Sequence, residues 1–424
     1  MRLCSAGYLS MLELVRNNRT FRRLWFADIV SLFGDWFNTI AIIALVQRLS
    51  DSPLAVALVF AMKMLGYAVC SPIAGVIADR VDRRRLMIAS DLLRALVVLG
   101  FLFVRSEEWI PLIYLLTFLQ VGISSVFRPA RSASLPNIVA KDDLLNAAAL
   151  MSVTWSTLLA VGAGLGGVAS AFLGTDAVFI IDAASYIVSA AMLSTIRFPS
   201  PAKRTREGSL IGVAARDIIG GWRYMVRRGD VGRIALAKAC WAVGGSGLVF
   251  MLTQIGERLT PENTALGVGI LLGFRGVGTG VGPIVARLLL PEQRRWPVAL
   301  GFFVVTSGLI YGSASMLISS FWVIVPVVLA HALSGANWVL SSVMLQTRAE
   351  DEVRGRVFAT EWVILSTVNA LMITSVGFIL ERGWATLPQA MVGCSGVMVV
   401  AGLLWLAFVP AAERRSEDAR EAAL

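Results

Sequence analysis

The chain has 424 residues, of which 57% are hydrophobic and only 16% are charged, and its mean hydropathy is +0.73. About a quarter of the residues of a soluble protein are charged, so this composition excludes a water-soluble globular protein and indicates a chain surrounded mainly by lipid. The formal net charge of +10 is not concentrated in a soluble basic domain, which argues against a nucleic-acid partner.

The sequence has no signature of a metal, cofactor or enzymatic site. Its four cysteines, Cys4, Cys70, Cys240 and Cys394, lie far apart without a CxxC pair, and His331 is the single histidine. This spacing predicts neither disulfides nor a metal centre. Walker A, G-x-S-x-G and H-E-x-x-H motifs are missing too. We therefore expect no cofactor and no enzymatic activity.

Twelve apolar segments follow one another along the chain, each long enough to cross a bilayer of about 30 Å as a helix. Helices are expected because a spanning segment must satisfy its own backbone groups in hydrocarbon, and the period-two alternation of barrel strands is missing. The predicted spans, numbered 1 to 12, are residues 24–49, 53–79, 86–104, 111–130, 145–172, 174–196, 234–255, 265–288, 296–316, 319–346, 357–380 and 387–410.

Basic residues predict the orientation of these spans. Of the 38 lysines and arginines, 30 lie in or beside the N-terminal segment, the loops after even-numbered spans and the C-terminal tail, whereas four lie on the other side. The positive-inside rule therefore places both termini in the cytoplasm of a cell whose cytoplasmic (inner) membrane holds the protein. Residues 1–23 hold five arginines but no apolar core, so we expect no signal peptide.

The longest polar stretch divides the spans into six and six. SPIAGVIADRVDRRR at 71–85 aligns with GPIVARLLLPEQRR at 282–295, and such internal similarity favours the duplicated architecture of secondary transporters. The predicted organisation is a cytoplasmic N-terminus 1–23, an N-terminal six-helix bundle 24–196, a cytoplasmic linker 197–233, a C-terminal six-helix bundle 234–410 and a cytoplasmic tail 411–424.

The stretch GVIADRVDRRR at 75–85 resembles the loop-2/3 signature of the major facilitator superfamily, except that Asp82 stands where the family has glycine. The matching residues are Gly75, Asp79, Arg80, Arg83 and Arg84. The resemblance implies a gate or hinge between spans 2 and 3, in which Gly75 lets helices approach closely and Asp79 forms charge pairs. We assign Asp91 and Arg94, near the start of span 3, to the same hinge.

A second motif, GAGLGG at 162–167, is similar to an exporter signature of the same family, with Ala163 in place of proline. Its glycines are Gly162, Gly166 and Gly167. The phrases FRPARSASLPNIV, DAASYIVSAAML and LQTRAEDEVRGRVFA resemble the subgroup of enterobactin exporters, macrolide efflux proteins and lysophospholipid transporters. The resemblance implies two pseudo-symmetric six-helix bundles that rock around a midplane site, with proton-driven export.

Span 1 carries the sharpest candidate for proton coupling. Asp35 lies near the middle of this span, and ionisable groups inside a membrane usually face a cavity or a partner because they are costly there. Asp35 could exchange the coupling proton, or it could be permanently paired with a cation such as Lys63 or Arg275. Glu361, at the start of span 11, is the second candidate, with a role as a cytoplasmic gate partner as the alternative.

Other polar and aromatic residues are candidates for the substrate cavity that the family's fold places between the bundles. They are Asn38, Lys63, Gln120, Trp241, Arg275, His331, Asn337 and Trp338. Lys63 and Arg275 would suit an anionic group on the substrate, or would neutralise Asp35. His331 could equally be a satisfied packing residue, and the two tryptophans could be packing or interfacial residues instead of an apolar cavity wall.

The expected function is secondary active export of a small amphipathic compound, such as a drug, a macrolide or a siderophore-like molecule. The protein would be a monomer in contact with membrane lipids, with protons as the coupling ion. A lysophospholipid flippase or facilitator of the same fold and a non-transporting membrane protein are the alternatives.

Overall fold

A computed structural model describes residues 13–140, 143–196 and 208–421, so parts of the predicted N-terminus, linker and tail lie outside the described residues. Within the described ranges there is no strand, and twelve helices are long and apolar enough to cross a membrane. The predicted all-α fold of twelve spans is confirmed. Spans 1 to 12 are Arg19–Leu49, Pro53–Arg80, Arg83–Phe103, Glu107–Ile138, Asn146–Leu173, Thr175–Ser194, Gly229–Leu259, Thr264–Leu289, Gln293–Leu317, Phe321–Arg348, Asp351–Glu381 and Leu387–Arg415.

Several helices extend past the apolar segments that predict them. Span 1 begins at Arg19 instead of residue 24, because the side chain of Asn18 accepts the backbone N–H of Phe21 at 2.9 Å and caps the helix there. The last helix continues through Pro410 to Glu421. Helix ends depend on capping and local propensity, whereas hydropathy marks only the part that lies in lipid.

The polar stretch between the halves contains a helix at Leu210–Arg227, which we call the linker helix. Val213 and Ala214 on one face of it pack against Val76 of span 2. Asp217 forms an ion pair with Arg356 of span 11 at 2.9 Å. The linker helix therefore contacts both bundles, which the sequence did not predict.

The two bundles share one apolar cluster at one end of the molecule. We call the end with the loops after even-numbered spans the basic end, and the other the opposite end. At the opposite end one apolar cluster includes residues from both bundles, such as Ile43 and Leu252, whereas each bundle has its own cluster at the basic end. The side chain of Gln47 donates to the Thr253 carbonyl at 3.3 Å and to Glu257 at 2.8 Å across this joint. In this conformation the opposite end is therefore closed.

Candidate transport site

Asp35 of span 1 is bonded to side chains from two other helices of its bundle. Tyr186 of span 6 donates to Asp35 Oδ1 at 2.5 Å, and Arg94 Nη1 of span 3 lies 3.5 Å from Oδ2. Gln120 of span 4 in turn donates to the Tyr186 hydroxyl at 3.0 Å. The cation that pairs with Asp35 is Arg94, and not Lys63 or Arg275 as the sequence suggested.

Asp91 and Arg94 form a buried ion pair behind Asp35. Ser189 donates to Asp91 Oδ2 at 2.6 Å, and Arg94 Nη2 donates to Ser31 Oγ at 3.2 Å. The side chains of Asp91 and Arg94 are 0% and 2% exposed. The sequence predicts this pair to be part of the hinge, but in the structure it lies in the middle of the bundle, next to the proton-coupling candidate Asp35.

Exposure distinguishes the two carboxylates predicted for proton coupling. The side chain of Asp35 is 34% exposed, so water can reach it in this conformation. Glu361 is 2% exposed and forms an ion pair with Lys238 at 2.9 Å. Of the two, only Asp35 is open to proton exchange with solvent without a preceding structural change.

Lys63 and Asn38 lie beside Asp35 in different surroundings. Lys63 Nζ donates to Thr39 Oγ1 at 2.6 Å, and the Thr39 hydroxyl donates to the Asp35 carbonyl at 2.7 Å. Among the described residues no carboxylate lies within ion-pair distance of Lys63, which is partly exposed. Asn38 is 1% exposed, so it does not line an open cavity in this conformation.

In the second bundle, too, some of the predicted cavity residues are buried between helices and others are partly exposed. His331 is fully buried and its Nε2 lies 2.5 Å from the Tyr311 hydroxyl, and Asn337 is 2% exposed and donates to a backbone carbonyl of span 7. Both therefore pack helices together here. Arg275 is partly buried, and no hydrogen-bond or ion-pair partner for its guanidinium lies among the described residues. Trp241 contacts the His331 ring with 6.0 Å between centroids.

An aromatic cluster that the sequence did not predict lies between the bundles. Trp362 of span 11 contacts Trp338 of span 10 and Tyr67 of span 2, with ring centroids 5.8 and 6.0 Å apart. The guanidinium of Arg128 in span 4 lies over the Trp362 ring, 6.0 Å from its centroid. At the end of the predicted span 4 Arg128 is typical of a loop arginine, but the helix of span 4 continues beyond it to Ile138.

Comparison with known proteins identifies the family. The model of the transmembrane secretion effector family, part of the major facilitator superfamily, matches residues 14–422. The chain belongs to this family. The MFS-type transporter YfiS of Bacillus subtilis (strain 168), itself described as uncharacterized, is 24% identical over 437 residues, which cover 95% of this chain and 96% of YfiS. The enterobactin exporter EntS of Salmonella typhi is 23% identical over 417 residues, 94% of each chain.

Solved structures share the fold of this major facilitator superfamily transporter. The peptide transporter POT in complex with sulfate superposes with a TM-score of 0.75 at 13% identity, covering 94% of this chain and 95% of POT. A bacterial homolog of the human lysosomal transporter Spinster superposes with a TM-score of 0.68 at 18% identity, covering 93% of this chain and 96% of that one. At this identity the likeness concerns the fold alone.

The residue that departs from the superfamily's loop signature caps a helix. Asp82 directly precedes span 3, and its carboxylate accepts the backbone N–H of Arg85 at 2.9 Å. An N-cap aspartate satisfies one of the otherwise unpaired N–H groups of a helix. Its φ of −56° is available to any residue, so this turn does not need the family's glycine.

The arginines of the signature bind carbonyl groups of neighbouring elements at the basic end. Arg83 donates to the Ala133 carbonyl in span 4 at 2.5 Å, and Arg80 donates to the Gly208 carbonyl before the linker helix at 2.8 Å. Arg84 donates to a carbonyl in the last turn of span 6 at 3.2 Å. The loop therefore connects spans 4 and 6 and the linker.

The expected role of Gly75 in close helix packing is not seen in this conformation. A Cβ atom added at Gly75 would have no atom within 4 Å, so an alanine would fit there without moving a neighbour. The role of Asp79 in gating stays a prediction.

The glycines of the exporter-type motif let span 5 approach two other helices. A Cβ on Gly162 would lie 2.9 Å from Trp36 Cβ, and one on Gly166 would lie 3.0 Å from Phe37 Cα, both in span 1. A Cβ on Gly167 would lie 2.8 Å from Cα of Gly269 in span 8, in the other bundle. The motif therefore allows backbone-to-backbone contact within the first bundle and across the joint at the opposite end.

Proposed function

We propose that this transporter is a secondary active exporter of a small amphipathic compound, driven by the entry of protons. Its basic end lies on the cytoplasmic side of the inner membrane, since 30 of the 38 lysines and arginines lie at that end. With the opposite end closed, the conformation described above is the one that admits substrate from the cytoplasm. The relation to the enterobactin exporter EntS supports the direction of transport.

The observation that carries this proposal is the environment of Asp35. Its side chain is 34% exposed, lies in the middle of span 1 and bonds to spans 3 and 6 through Arg94 and Tyr186. A proton on Asp35 removes its charge attraction to Arg94, which keeps Asp91 as its partner. Protonation thereby weakens the link between spans 1 and 3 without leaving a buried arginine unpaired, which would be costly.

Two cations beside the space between the bundles have no carboxylate partner among the described residues. Lys63 donates a hydrogen bond only to the Thr39 hydroxyl, and Arg275 has no hydrogen-bond or ion-pair partner among the described residues. An ionisable group within a membrane span usually faces a cavity or a partner because it is costly there, so these two residues favour a substrate with an anionic group. The rest of the substrate would contact the aromatic side chains.

The test begins with a panel of amphipathic compounds, scored for reduced accumulation in expressing cells with and without an uncoupler. A compound that is exported only with the gradient intact is then used in proteoliposomes with an imposed pH gradient. We expect Asp35→Asn to abolish uphill transport, while Asp176→Asn, in the exposed pair with Arg105, transports normally. Unchanged gradient-driven transport by Asp35→Asn would refute the proton role. Transport of lysophospholipid that persists after the gradient is collapsed would support the flippase alternative.

A further inference from the structure

The contact between Trp362, Tyr67 and Arg128 crosses the boundary between the two bundles. Tyr67 and Arg128 belong to spans 2 and 4 of the first bundle, whereas Trp338 and Trp362 belong to spans 10 and 11 of the second. Tyr67 and Arg128 each contact Trp362 at 6.0 Å. These four side chains therefore meet where the two bundles face each other.

This cluster is also accessible in the conformation described here. The side chain of Trp338 is 39% exposed and Arg128 is exposed, although both lie within spans. The planes of Trp338 and Trp362 are nearly perpendicular, at 88°, and those of Tyr67 and Trp362 make an angle of 78°. Rings at these angles and separations pack edge to face with one another, and their remaining faces and edges can contact a further aromatic group in the same way.

Arg128 differs from the other cations near it because no carboxylate pairs with it. Arg131, one turn further along span 4, forms an ion pair with Asp28. Lys238 lies over the Trp338 ring at 4.7 Å and is paired with Glu361. For Arg128 the described residues supply only the Trp362 face, with no hydrogen-bond or ion-pair partner.

We propose that Tyr67, Arg128, Trp338 and Trp362 form a subsite for a planar aromatic anion, which is the recognised part of the transported compound. The guanidinium of Arg128 binds the carboxylate or an equivalent anionic group through paired N–H donors, while the aromatic ring packs against the tryptophans. Transport of the bound compound rests on the proposed function, whereas the binding site itself does not. Because both bundles contribute residues, a bound ligand bridges them.

The test measures binding to the purified full chain in lipid nanodiscs, without a gradient, by equilibrium dialysis. The probes are 2-naphthoate, its neutral analogue 2-naphthamide, and the cation 2-naphthylmethylammonium. We expect naphthoate to bind at least about tenfold more tightly than the amide, as for a charge-assisted pair, and the cation to bind most weakly. Equal affinity for all three probes would overturn the proposal.

Variants separate the anionic contact from the aromatic one. Arg128→Gln should weaken naphthoate binding at least about tenfold and leave naphthamide binding nearly unchanged, whereas Trp362→Leu should weaken both probes. Arg223→Gln, at an exposed arginine of the linker helix, is the matched control and should bind as the parent protein does. Equal loss of both probes in Arg128→Gln would contradict the assigned role of the arginine, and thermal melting identifies any variant that has not folded.

The outcome is independent of the proton-coupling proposal. If naphthoate binds as expected and Asp35→Asn still transports normally, the subsite stands and proton coupling through Asp35 fails. If Asp35→Asn loses transport but naphthoate shows no preference over the amide, the subsite fails and the coupling proposal stands.

Discussion

Because spans 5 and 8 are in close contact at Gly167, we expect that adding one methyl group there, in Gly167→Ala, destabilises the conformation in which the opposite end is closed. In Gly167→Ala the new Cβ would lie 2.7 Å from the Ala265 carbonyl oxygen and 2.8 Å from Gly269 Cα. Carbon atoms in good contact are about 3.5–4.0 Å apart, so the two helices must separate by roughly 1 Å. Overpacking of this kind costs about 1–3 kcal/mol.

The cost applies mainly to the state in which the opposite end is closed, because Gly167 lies in the part of span 5 near that end. A difference of about 1–3 kcal/mol between two states changes their ratio by about 5- to 150-fold. Gly164→Ala is the matched control, because a Cβ there would meet no atom within 4 Å. Both substitutions change helix propensity equally, so their difference isolates the contact.

The assay is the alkylation rate of a cysteine placed at Thr253, which is fully buried beside Gln47 at the joint between the bundles, after replacement of the four native cysteines. A water-soluble maleimide should react about 5- to 150-fold faster in Gly167→Ala and at the parent rate in Gly164→Ala. A cysteine at Ser307, buried inside the second bundle, should stay unreactive in both. Equal rates at Thr253 in the two alanine variants, or a reactive Ser307 position, would refute the reasoning.

Two further predictions concern the ion pairs and the hinge. Lys238→Met or Glu361→Gln alone should lower the free energy of unfolding by about 3–5 kcal/mol, because the other residue of the ion pair would stay buried without its partner. The double variant Lys238→Met/Glu361→Leu should recover most of this loss of stability. SDS-induced unfolding of the purified protein measures the stability, and a double variant as unstable as the single variants would contradict the prediction. Asp79→Asn should reduce the transport rate without changing the order of preference among substrates, measured as kcat/KM for two competing compounds, and altered preference at a normal rate would show that Asp79 belongs to the substrate site.

The twelve spans could be predicted because lipid imposes length and apolarity on each of them. The partners of Asp35 could not, because they depend on the rotation of spans 1, 3 and 6 about their axes, which hydropathy does not report. A signal was nevertheless present in span 6. Asp182, Tyr186 and Ser189 are spaced i, i+4, i+7 and therefore share a helix face, and this face meets Asp35 and Asp91.

The sequence does not predict a role for Arg128 or the linker helix. Arg128 lies two residues before the predicted end of span 4 and directly before Pro129, a position typical of a loop arginine, but the helix continues to Ile138. The linker helix was not predicted because its arginines make the segment too polar for a membrane span. Its apolar residues Val213 and Ala214 nevertheless pack against span 2. Both residues of the proposed subsite on spans 10 and 11 are tryptophans, which are common at membrane interfaces. Their convergence on one point is visible only in three dimensions.

Span 1 connects the proton site to the joint between the bundles. Asp35 is followed by Trp36 and Phe37, whose backbones and Cβ atoms lie against Gly162 and Gly166. The next residue of span 5, Gly167, lies against span 8. A displacement of span 1 on protonation of Asp35 would therefore move the helix that closes the opposite end.

This arrangement predicts that the two sites are energetically coupled. Substitutions at independent sites add within about 0.5 kcal/mol, whereas coupled ones deviate by about 0.5–3 kcal/mol. In the alkylation assay at Thr253, the combined effect of Asp35→Asn and Gly167→Ala should therefore differ from the sum of their separate effects by more than about 0.5 kcal/mol. The pair Asp35→Asn and Gly164→Ala should be additive, since a Cβ on Gly164 would meet no atom within 4 Å. Additivity in both pairs would mean that protonation of Asp35 reaches the opposite end by some route other than span 5.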